Sequence, residues 1–450
     1  MNQTKITHND AQLAQLQDQK GRISGLIGVA KKKQQDCTEL IAEMQQVSTQ
    51  IKRLQALKET PDKPKKNENA AKKTEKFPSH FNNPTPKNRS LRSCRIIQLT
   101  NGPDDEQWRQ LWNEYVCNHP RCSVYHRYEF KTIIQQSFQQ TPHYLLAVNN
   151  QGMVVGILPS VQLTSHIFGN FIISMPYFNY GGPIADHADI EEQLIQALII
   201  KANELGIEHI ELRETHSRDN YPVRIDKAAM ILDLPDSQQA LWQKIGSKVR
   251  AQVKKAKRHQ LKIRIGKQEL LNDFYHVFAK NMRDLGTPVY SKQFFLALLD
   301  TLNTKSNGSL NATKADLIVA YDHVGSAISV GFLISYKDSV EIPWASTLRS
   351  ANKLNANMFL YWHVLSHCID QKMAFFDFGR SSIDTGTFKF KKQWGAKPQQ
   401  LFWNYWLPGD SALPAITTNN PKYDIAIKIW KHLPVWLTKI LGPSIVKNIP

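Results

Sequence analysis

The strongest constraint in this 450-residue sequence is a pattern of strands and helices that occurs twice. Residues 143–158 predict a β-hairpin, because two apolar stretches flank a turn at 150–152. Residues 315–334 repeat that hairpin about 170 residues later, which is the size of an ordinary α/β domain. In both copies another strand, an amphipathic helix and a buried strand follow. We therefore predict two lobes, each with a mixed sheet flanked by helices.

Changes in composition predict the remaining domains. The boundaries are 1–57 for a helical coiled-coil arm, 58–93 for a disordered basic linker, 94–235 for the first lobe, 236–410 for the second lobe with a basic connecting helix, and 411–450 for an amphipathic tail. The linker carries five prolines, many lysines and few apolar residues, a composition that does not form a core. The chain is basic, with a net charge of +18.

Both ends of the chain have a helical periodicity that allows more than one interpretation. Apolar residues recur every three or four positions over 13–30 and 40–54, which predicts two short heptad helices. These helices pair with each other, join two chains into a homodimer, or form a ligand-binding arm. In the tail, apolar residues and tryptophans alternate with lysines over 423–450. The tail either lies on an anionic membrane surface or packs on the protein body.

Several classes of protein are excluded by missing features. The five cysteines are scattered and contain no C-x-x-C pair, so we expect neither disulfides nor a zinc site. Motifs for nucleotide hydrolysis, zinc proteolysis and serine hydrolysis are also missing. The first twenty residues contain no apolar stretch of signal-peptide length, and nowhere do eighteen uncharged apolar residues run together. We therefore expect a cytoplasmic protein without cofactor or metal, peripheral at the inner membrane if the tail binds lipid.

Five motifs within residues 94–410 occur in the order found in a known family. They are PYFNYGGP at 176–183, the basic segment 248–256, LGTPVY at 285–290, FDFGRS at 376–381 and GTFKFKKQWG at 386–395. Together they resemble the FemAB family, and most closely its members associated with exosortase and exopolysaccharide systems. The resemblance implies an α/β (α+β) fold of two tandem GNAT-like lobes. It also implies transfer of an acyl group to an amine of a cell-envelope or exopolysaccharide-related precursor, with aminoacyl-tRNA as the donor in FemAB enzymes of known activity.

Three residues are predicted to act in catalysis. The resemblance gives Lys391 the cationic position of the family's F-K-x-x-F/W-G motif, where a fixed charge would stabilise the oxyanion of acyl transfer. Asp377 lies in an apolar strand, so its carboxylate needs a partner, and Arg380 is the expected one. This pair either orients or deprotonates the acceptor, or it is a structural ion pair. FemAB enzymes commonly have glycine where Arg380 stands, which argues against a muramyl-peptide acceptor.

Eight further residues are predicted to bind substrate. They are Tyr177, Asn179, Tyr180, Arg213, Arg250, Lys254, Tyr290 and Trp344. The first three precede a glycine turn that permits close approach of a ligand, and the three basic residues suit phosphate. Tyr290 belongs to the equivalent loop of the second lobe, and Trp344 either lines the cleft or fills the core.

Two other functions are compatible with the sequence. One is a non-catalytic adaptor that binds RNA or a membrane surface in an envelope-assembly system. The other is a CoA-dependent N-acyltransferase. Segments 181–185 and 348–353 do not match the [RQ]-x-x-G-x-[GA] loop with which GNAT enzymes bind pyrophosphate, so coenzyme A is not favoured as the donor.

Overall fold

The computed structural model describes residues 15–19, 21–24, 26, 47, 76–82, 94–100, 102, 105–165, 168–304, 313–409, 411–414 and 424–449. The chain divides into two compact units, residues 1–74 and residues 75–450. The described residues of the first unit are helical. Most of the two predicted heptad helices lies outside the described residues, so their pairing stays a prediction.

Helices and strands alternate through the second unit. Its α-helices are α1 (Ser79–Asn82), α2 (Asp105–Asn118), α3 (Glu129–Phe138), α4 (Ala188–Glu204), α5 (Gln238–Lys244), α6 (Ser247–Lys257), α7 (Leu271–Leu285), α8 (Lys292–Asn303), α9 (Ala356–Asp370), α10 (Gly386–Gln393), α11 (Asp424–His432) and α12 (Val435–Val446). Short 3₁₀ helices occur at Val124–His126, Gln268–Leu270 and Arg349–Leu354.

The strands lie between residues 95 and 406. They are β1 (Arg95–Leu99), β2 (Thr141–Pro142), β3 (Tyr144–Val148), β4 (Val154–Leu158), β5 (Val161–Ser165), β6 (Gly169–Ile173), β7 (Ile184–Ala185), β8 (Ile210–Glu214), β9 (Val223–Arg224), β10 (Lys227–Asp233), β11 (Lys262–Gly266), β12 (Lys314–Tyr321), β13 (Ala327–Tyr336), β14 (Ser339–Thr347), β15 (Phe375–Ser382), β16 (Lys397–Gln400) and β17 (Phe402–Trp406).

Three sheets form from the described strands. The first lobe contains a four-stranded sheet, β1-β3-β4-β7, and a six-stranded sheet, β2-β5-β6-β8-β17-β9. The second lobe contains a seven-stranded sheet, β11-β12-β13-β14-β15-β10-β16. Both predicted hairpins are present, as the antiparallel pairs β3–β4 and β12–β13. The strands after the long helices pair in parallel, β6 with β8 and β14 with β15. The duplicated pattern and the mixed sheets are therefore confirmed.

The two lobes exchange a strand. β10 precedes the connecting helices, yet it lies between β15 and β16 in the sheet of the second lobe. β17 follows the second lobe, yet it pairs with β8 and β9 in the first. The predicted boundary at 235/236 assigns β10 to the first lobe and β17 to the second. The apolar sequence of a strand does not indicate to which sheet the strand belongs.

The C-terminal tail packs on the body through one face. Trp430 is buried in α11, and Gly442 of α12 lies so close to Val289 that an added Cβ would be 2.8 Å from its amide nitrogen. The Arg283 guanidinium donates to the Leu433 carbonyl between the two helices, at 2.7 Å. The opposite face exposes large apolar side chains, Ile425, Ile429, Trp436, Ile440 and Leu441. No helix in the described parts of the chain has both the length and the apolar character needed to cross a membrane.

One part of the predicted linker is ordered against the body. Residues 76–82 contain α1, Pro78 is buried, and Phe77 and Phe81 pack against the core. The prediction of a structureless linker is wrong for these residues, because two phenylalanines are too few to change the average composition of the segment. The remainder, 58–75 and 83–93, lies outside the described residues.

Candidate active site

Two buried carboxylates face each other on adjacent strands of the second lobe. Glu341 on β14 and Asp377 on β15 are direct partners in the parallel pairing of these strands. Their neighbours in sequence are buried apolar residues, and the two acids themselves are only 5% and 3% exposed. Burial of two acids at one position is costly unless they are hydrogen-bonded or hold a proton between them.

Most of the hydrogen bonds to this pair come from the first lobe. The Tyr125 hydroxyl donates to Glu341 Oε2 at 2.6 Å, and the Asn179 amide donates to Oε1 at 2.5 Å. The Tyr180 hydroxyl donates to Asp377 Oδ2 at 2.9 Å. The backbone amide of Gly379, within β15, donates to Oδ1 at 2.7 Å. Two of the predicted binding residues, Asn179 and Tyr180, thus contact the acids directly.

The same environment controls the ionisation of the acids. Burial raises the pKa of Glu341 and of Asp377 above their ordinary values, and the charge of Asp377 raises the pKa of Glu341 further. The Gly379 amide and the Tyr180 hydroxyl favour the ionised form of Asp377 and partly oppose this rise in its pKa. The Tyr125 and Asn179 hydrogen bonds likewise oppose the rise in the pKa of Glu341. Near neutral pH the pair therefore carries one negative charge and one proton between its two acids.

Lys391 extends towards the acids from α10. Its Nζ atom donates to the carbonyls of Gly379 and Arg380, both at 2.9 Å, and the residue is 9% exposed. Gly379 has a φ of 75°, a conformation that favours glycine. Burial lowers the pKa of Lys391 to about 8, while the charges of Asp377 and Glu341 act in the opposite direction. Lys391 is thus mainly an ammonium at neutral pH, and two of its three N–H donors are occupied.

Arg380 does not form the expected ion pair with Asp377. Its guanidinium carbon lies 4.9 Å from the centre of the Trp403 ring, and that of Arg213 lies 4.7 Å from the same centre. The predicted ion pair is absent because Arg380 stacks on Trp403 instead. Trp403 belongs to β17, the exchanged strand, and sequence spacing does not predict that it lies next to Arg380. Nη1 of Arg380 is buried without a hydrogen-bond partner. Burial, and then the charge of Arg213, lowers the pKa of Arg380 to about 10.

The other basic residues predicted to bind phosphate form internal contacts. Arg213 is 1% exposed and donates to the Glu211 carboxylate at 2.7 Å and to the Phe178 carbonyl at 2.8 Å. Arg250 donates to three carbonyls at the end of α5, of which that of Ile245 is nearest, at 2.6 Å. No contact among the described residues joins either side chain to the acids. These contacts argue for structural roles.

Lys254 and the predicted aromatic residues lie beside other side chains. The Lys254 ammonium is 6.0 Å from the centre of the Trp242 ring. The Tyr177 hydroxyl donates to the Lys447 carbonyl of the tail at 2.6 Å. Tyr290 and Trp344 have ring centres 6.0 Å apart within a cluster of buried phenylalanines. Trp344 therefore fills the core, one of its two predicted alternatives.

The glycine turn at 181–183, which follows Tyr177 and Tyr180, packs against the end of β8. A Cβ on Gly182 would lie 2.4 Å from Cγ of Glu214 and 3.3 Å from the carbonyl oxygen of Arg213. The close approach for which this glycine is needed is therefore to the end of β8. That packing fixes the loop from which Asn179 and Tyr180 reach the acids.

Sequence analysis missed two members of the site, Glu341 and Tyr125. Glu341 is the one charged residue in an otherwise apolar and aromatic stretch, Val340–Trp344, and the reasoning applied to Asp377 would have identified it. Tyr125 lies in a 3₁₀ helix whose three residues are all buried, which no motif indicates.

A pocket opens onto the two acids. The side chains and backbone that line it come from α1 and the residue before it, the 122–124 segment, the turn between β13 and β14, and the site itself. The lining residues are Pro78, Ser79, His80, Cys122, Ser123, Val124, Tyr180, Ile334, Tyr336, Lys337, Asp338, Ser339, Glu341 and Asp377. A small polar group that enters it can therefore reach both carboxylates.

Comparison with known proteins agrees with the fold. The model of the FemAB family matches residues 166–311, and that of an acetyltransferase (GNAT) domain matches residues 243–392. Among solved structures, that of FemX has a TM-score of 0.50 at 12% identity and covers 74% of this chain and 100% of its own. No protein of curated function matches the sequence.

Two other solved structures are similar at lower scores. One is the C-terminal domain of a putative lysylphosphatidylglycerol synthetase from Agrobacterium fabrum, with 12% identity, a TM-score of 0.44, and coverage of 67% of this chain and 92% of its own. The other is a tandem GNAT protein from the clavulanic acid biosynthesis pathway, with 12% identity, a TM-score of 0.43, and coverage of 71% and 100%.

The two family-model matches define the class of protein. The protein is an acyltransferase built from two tandem GNAT-like lobes. Within that class, residues 166–311 are similar to the FemAB family, as the motifs indicated, and the match to an acetyltransferase domain supports an enzyme rather than a non-catalytic adaptor. Association with exosortase systems stays a prediction.

The raised pKa of Glu341 predicts a pH-dependent effect of Glu341→Gln on stability. The folded state retains a proton on Glu341 that the unfolded chain loses, so folding of the wild type is progressively disfavoured as pH rises above the ordinary carboxyl range. The glutamine of the variant does not titrate, so its stability lacks this dependence on pH. We expect its unfolding midpoint to rise relative to that of the wild type between about pH 5 and pH 7. A difference in midpoint that does not change with pH in thermal unfolding would contradict the burial of an ionisable Glu341.

Proposed function

We propose that the protein transfers an acyl or aminoacyl group from an activated donor to a primary amine of a cell-envelope or exopolysaccharide-related precursor. The observation that carries this proposal is the arrangement of one buried carboxylate pair, Glu341 and Asp377, beside one buried ammonium, Lys391. Acyl transfer to an amine needs a base for the nitrogen proton and a cation for the carbonyl oxygen, and these groups supply both.

Asp377 is the base in this proposal. The amine nitrogen attacks the carbonyl carbon of the donor, the bond from that carbon to the donor's leaving atom breaks, and an amide forms. The proton lost by nitrogen passes to the Asp377 carboxylate, and Asp377 then gives a proton to the leaving atom, which returns the enzyme to its starting state. Burial raises the pKa of Asp377 towards neutrality, which improves a carboxylate as a base at physiological pH.

Lys391 stabilises the oxyanion. Its two carbonyl contacts fix the ammonium, and its third N–H is available for the oxygen on which charge develops. The fixed position matters because a donor that need not reorganise stabilises the transition state more than the ground state.

Arg380 orients the substrate through an anionic group. Its guanidinium is stacked on Trp403 and contains a buried Nη1 atom without a partner, which suits a carboxylate or phosphate oxygen. The net charge of +18 favours a polyanionic donor such as aminoacyl-tRNA, the donor that the FemAB resemblance also supports. An acyl-CoA is the alternative donor.

Lys391→Ala tests the assignment. We expect turnover to fall roughly 100-fold, as for the loss of one oxyanion donor, in a protein that remains folded. The assay measures, by mass spectrometry, isotope label transferred to an amine of an envelope-precursor extract from either labelled aminoacyl-tRNA or labelled acyl-CoA.

The matched control is Lys392→Ala, which removes the neighbouring lysine, an exposed one. It should transfer label at the wild-type rate. Equal activity of the Lys391 and Lys392 variants would remove Lys391 from the mechanism, and transfer from acyl-CoA alone would replace tRNA as the donor.

We also propose that the tail brings the enzyme to an anionic membrane surface. The outer faces of α11 and α12 expose Ile425 and Trp436 at 71% and 64%, on helices that also carry Lys428, Lys431 and Lys439. Exposed apolar side chains among lysines suit the interface of an anionic bilayer. Contact with a membrane would place the site near lipid-linked precursors.

Replacement of an exposed apolar residue on this face by an acid tests the membrane contact. The wild type should sediment with phosphatidylglycerol vesicles, less so at high salt, and Trp436→Glu should weaken binding about tenfold through the loss of apolar contact. Val324→Glu is the control, because Val324 is 70% exposed in the turn between β12 and β13. Equal sedimentation of the two variants would contradict the role of the tail.

A further inference from the structure

Residues 76–82 form one wall of the pocket over the buried acids. Pro78, Ser79 and His80 line the same pocket as Glu341 and Asp377. The segment precedes the first lobe in sequence and belongs to none of the motifs of the site. Its position therefore calls for an explanation beyond the acyl-transfer machinery already described.

Specific contacts hold the wall in place. The Ser79 hydroxyl donates to the Pro120 carbonyl at 2.6 Å, and the Thr215 hydroxyl donates to the His80 carbonyl at 3.0 Å. The rings of His80 and Phe81 have centres 5.2 Å and 5.7 Å from that of Tyr180. Because Tyr180 donates to Asp377, the wall packs directly on the residue that binds the proposed base.

Two buried polar atoms of lining residues have no hydrogen-bond partner. They are Nε2 of His80 and Oγ of Ser339. Buried polar groups are nearly always hydrogen-bonded, and leaving one unpaired costs about 1–3 kcal/mol. Burial, and the charges of His126 and Lys337, lower the pKa of His80 to about 3, so its imidazole is neutral at physiological pH. A neutral imidazole can accept a hydrogen bond from an N–H group.

The charges around the pocket favour a cation. Asp338 and the single negative charge shared by Glu341 and Asp377 line the pocket, against one positive charge, that of Lys337, whose ammonium is held by the His119 carbonyl at 3.2 Å. A protonated primary amine carries three N–H donors and one positive charge. It can satisfy a carboxylate, the His80 nitrogen and the Ser339 hydroxyl together.

We propose that this pocket binds the acceptor's primary amine as its ammonium ion, which releases one proton to solvent before the nitrogen attacks, and that His80, from the segment ahead of the first lobe, is a positioning residue for it. The inference rests on the proposed function and adds where the acceptor binds. It also makes the segment at 76–82 a part of the acceptor site, whereas the donor carbonyl lies towards Lys391.

Kinetics of His80 variants in the full chain test the proposal. His80→Ala should raise KM for the acceptor about tenfold, the effect of one lost hydrogen bond of about 1.4 kcal/mol, with a smaller change in kcat. His80→Gln, which restores a hydrogen-bonding group, should recover part of the loss, and His323→Ala, at an exposed histidine, should behave as the wild type.

A second measurement does not depend on turnover. In protein labelled with ¹⁵N-histidine, the resonance that His80→Ala removes should shift on titration with cadaverine, a simple primary diamine. Failure of the wild type to transfer label to any amine would contradict the proposed function, and the titration would still report on the pocket. An unshifted His80 resonance, an unchanged acceptor KM in His80→Ala, or a faster reaction in that variant would overturn the assignment of His80.

Discussion

The structure depends on the burial of Glu341 and Asp377 at directly opposite positions of β14 and β15. Two carboxylates cannot both be ionised there at low cost, so the second lobe alone is incomplete. Tyr125, Asn179 and Tyr180 of the first lobe supply the missing donors. The hydrogen bonds that join the lobes here therefore also control the ionisation of the site. Anything that separates the lobes would expose or ionise the pair.

The strand exchange explains why the lobes keep this arrangement. β10 and β17 each complete the sheet of the other lobe, so the lobes are joined by ladders of backbone hydrogen bonds as well as by side chains. The exchange also brings Trp403 against Arg380 and Arg213. Both guanidiniums stack on this ring, and that of Arg213 also donates to a carboxylate and a carbonyl. Nη1 of Arg380 is buried without a partner among the described residues, which is the basis for proposing that it binds substrate.

Local patterns predicted the parts of the fold and of the site that depend on nearby residues. The duplicated hairpins and the apolar strand around Asp377 are of this kind, whereas Lys391 was identified only by the resemblance of residues 390–395 to a family motif. The partner of Asp377 was not predictable from spacing. Arg380, three positions away, stacks instead on Trp403 of the exchanged strand. Glu341 was detectable by the same reasoning as Asp377. The wall at 76–82 was hidden by the composition of its surroundings, since its order depends on contacts with Pro120, Tyr180 and Thr215 that are distant in sequence.

The central claim is that Asp377 takes the proton of the attacking amine. The most direct measurement is the pH dependence of kcat/KM for the acceptor in the wild type, in Asp377→Asn and in the exposed-site control Asp384→Asn. The account predicts that the rate of the wild type and the control rises across a range above that of ordinary carboxyls, because burial raises the pKa of Asp377. It predicts a loss of roughly 10²- to 10⁴-fold in Asp377→Asn, in line with the loss of a general base. A wild-type rate and pH profile in Asp377→Asn would contradict it.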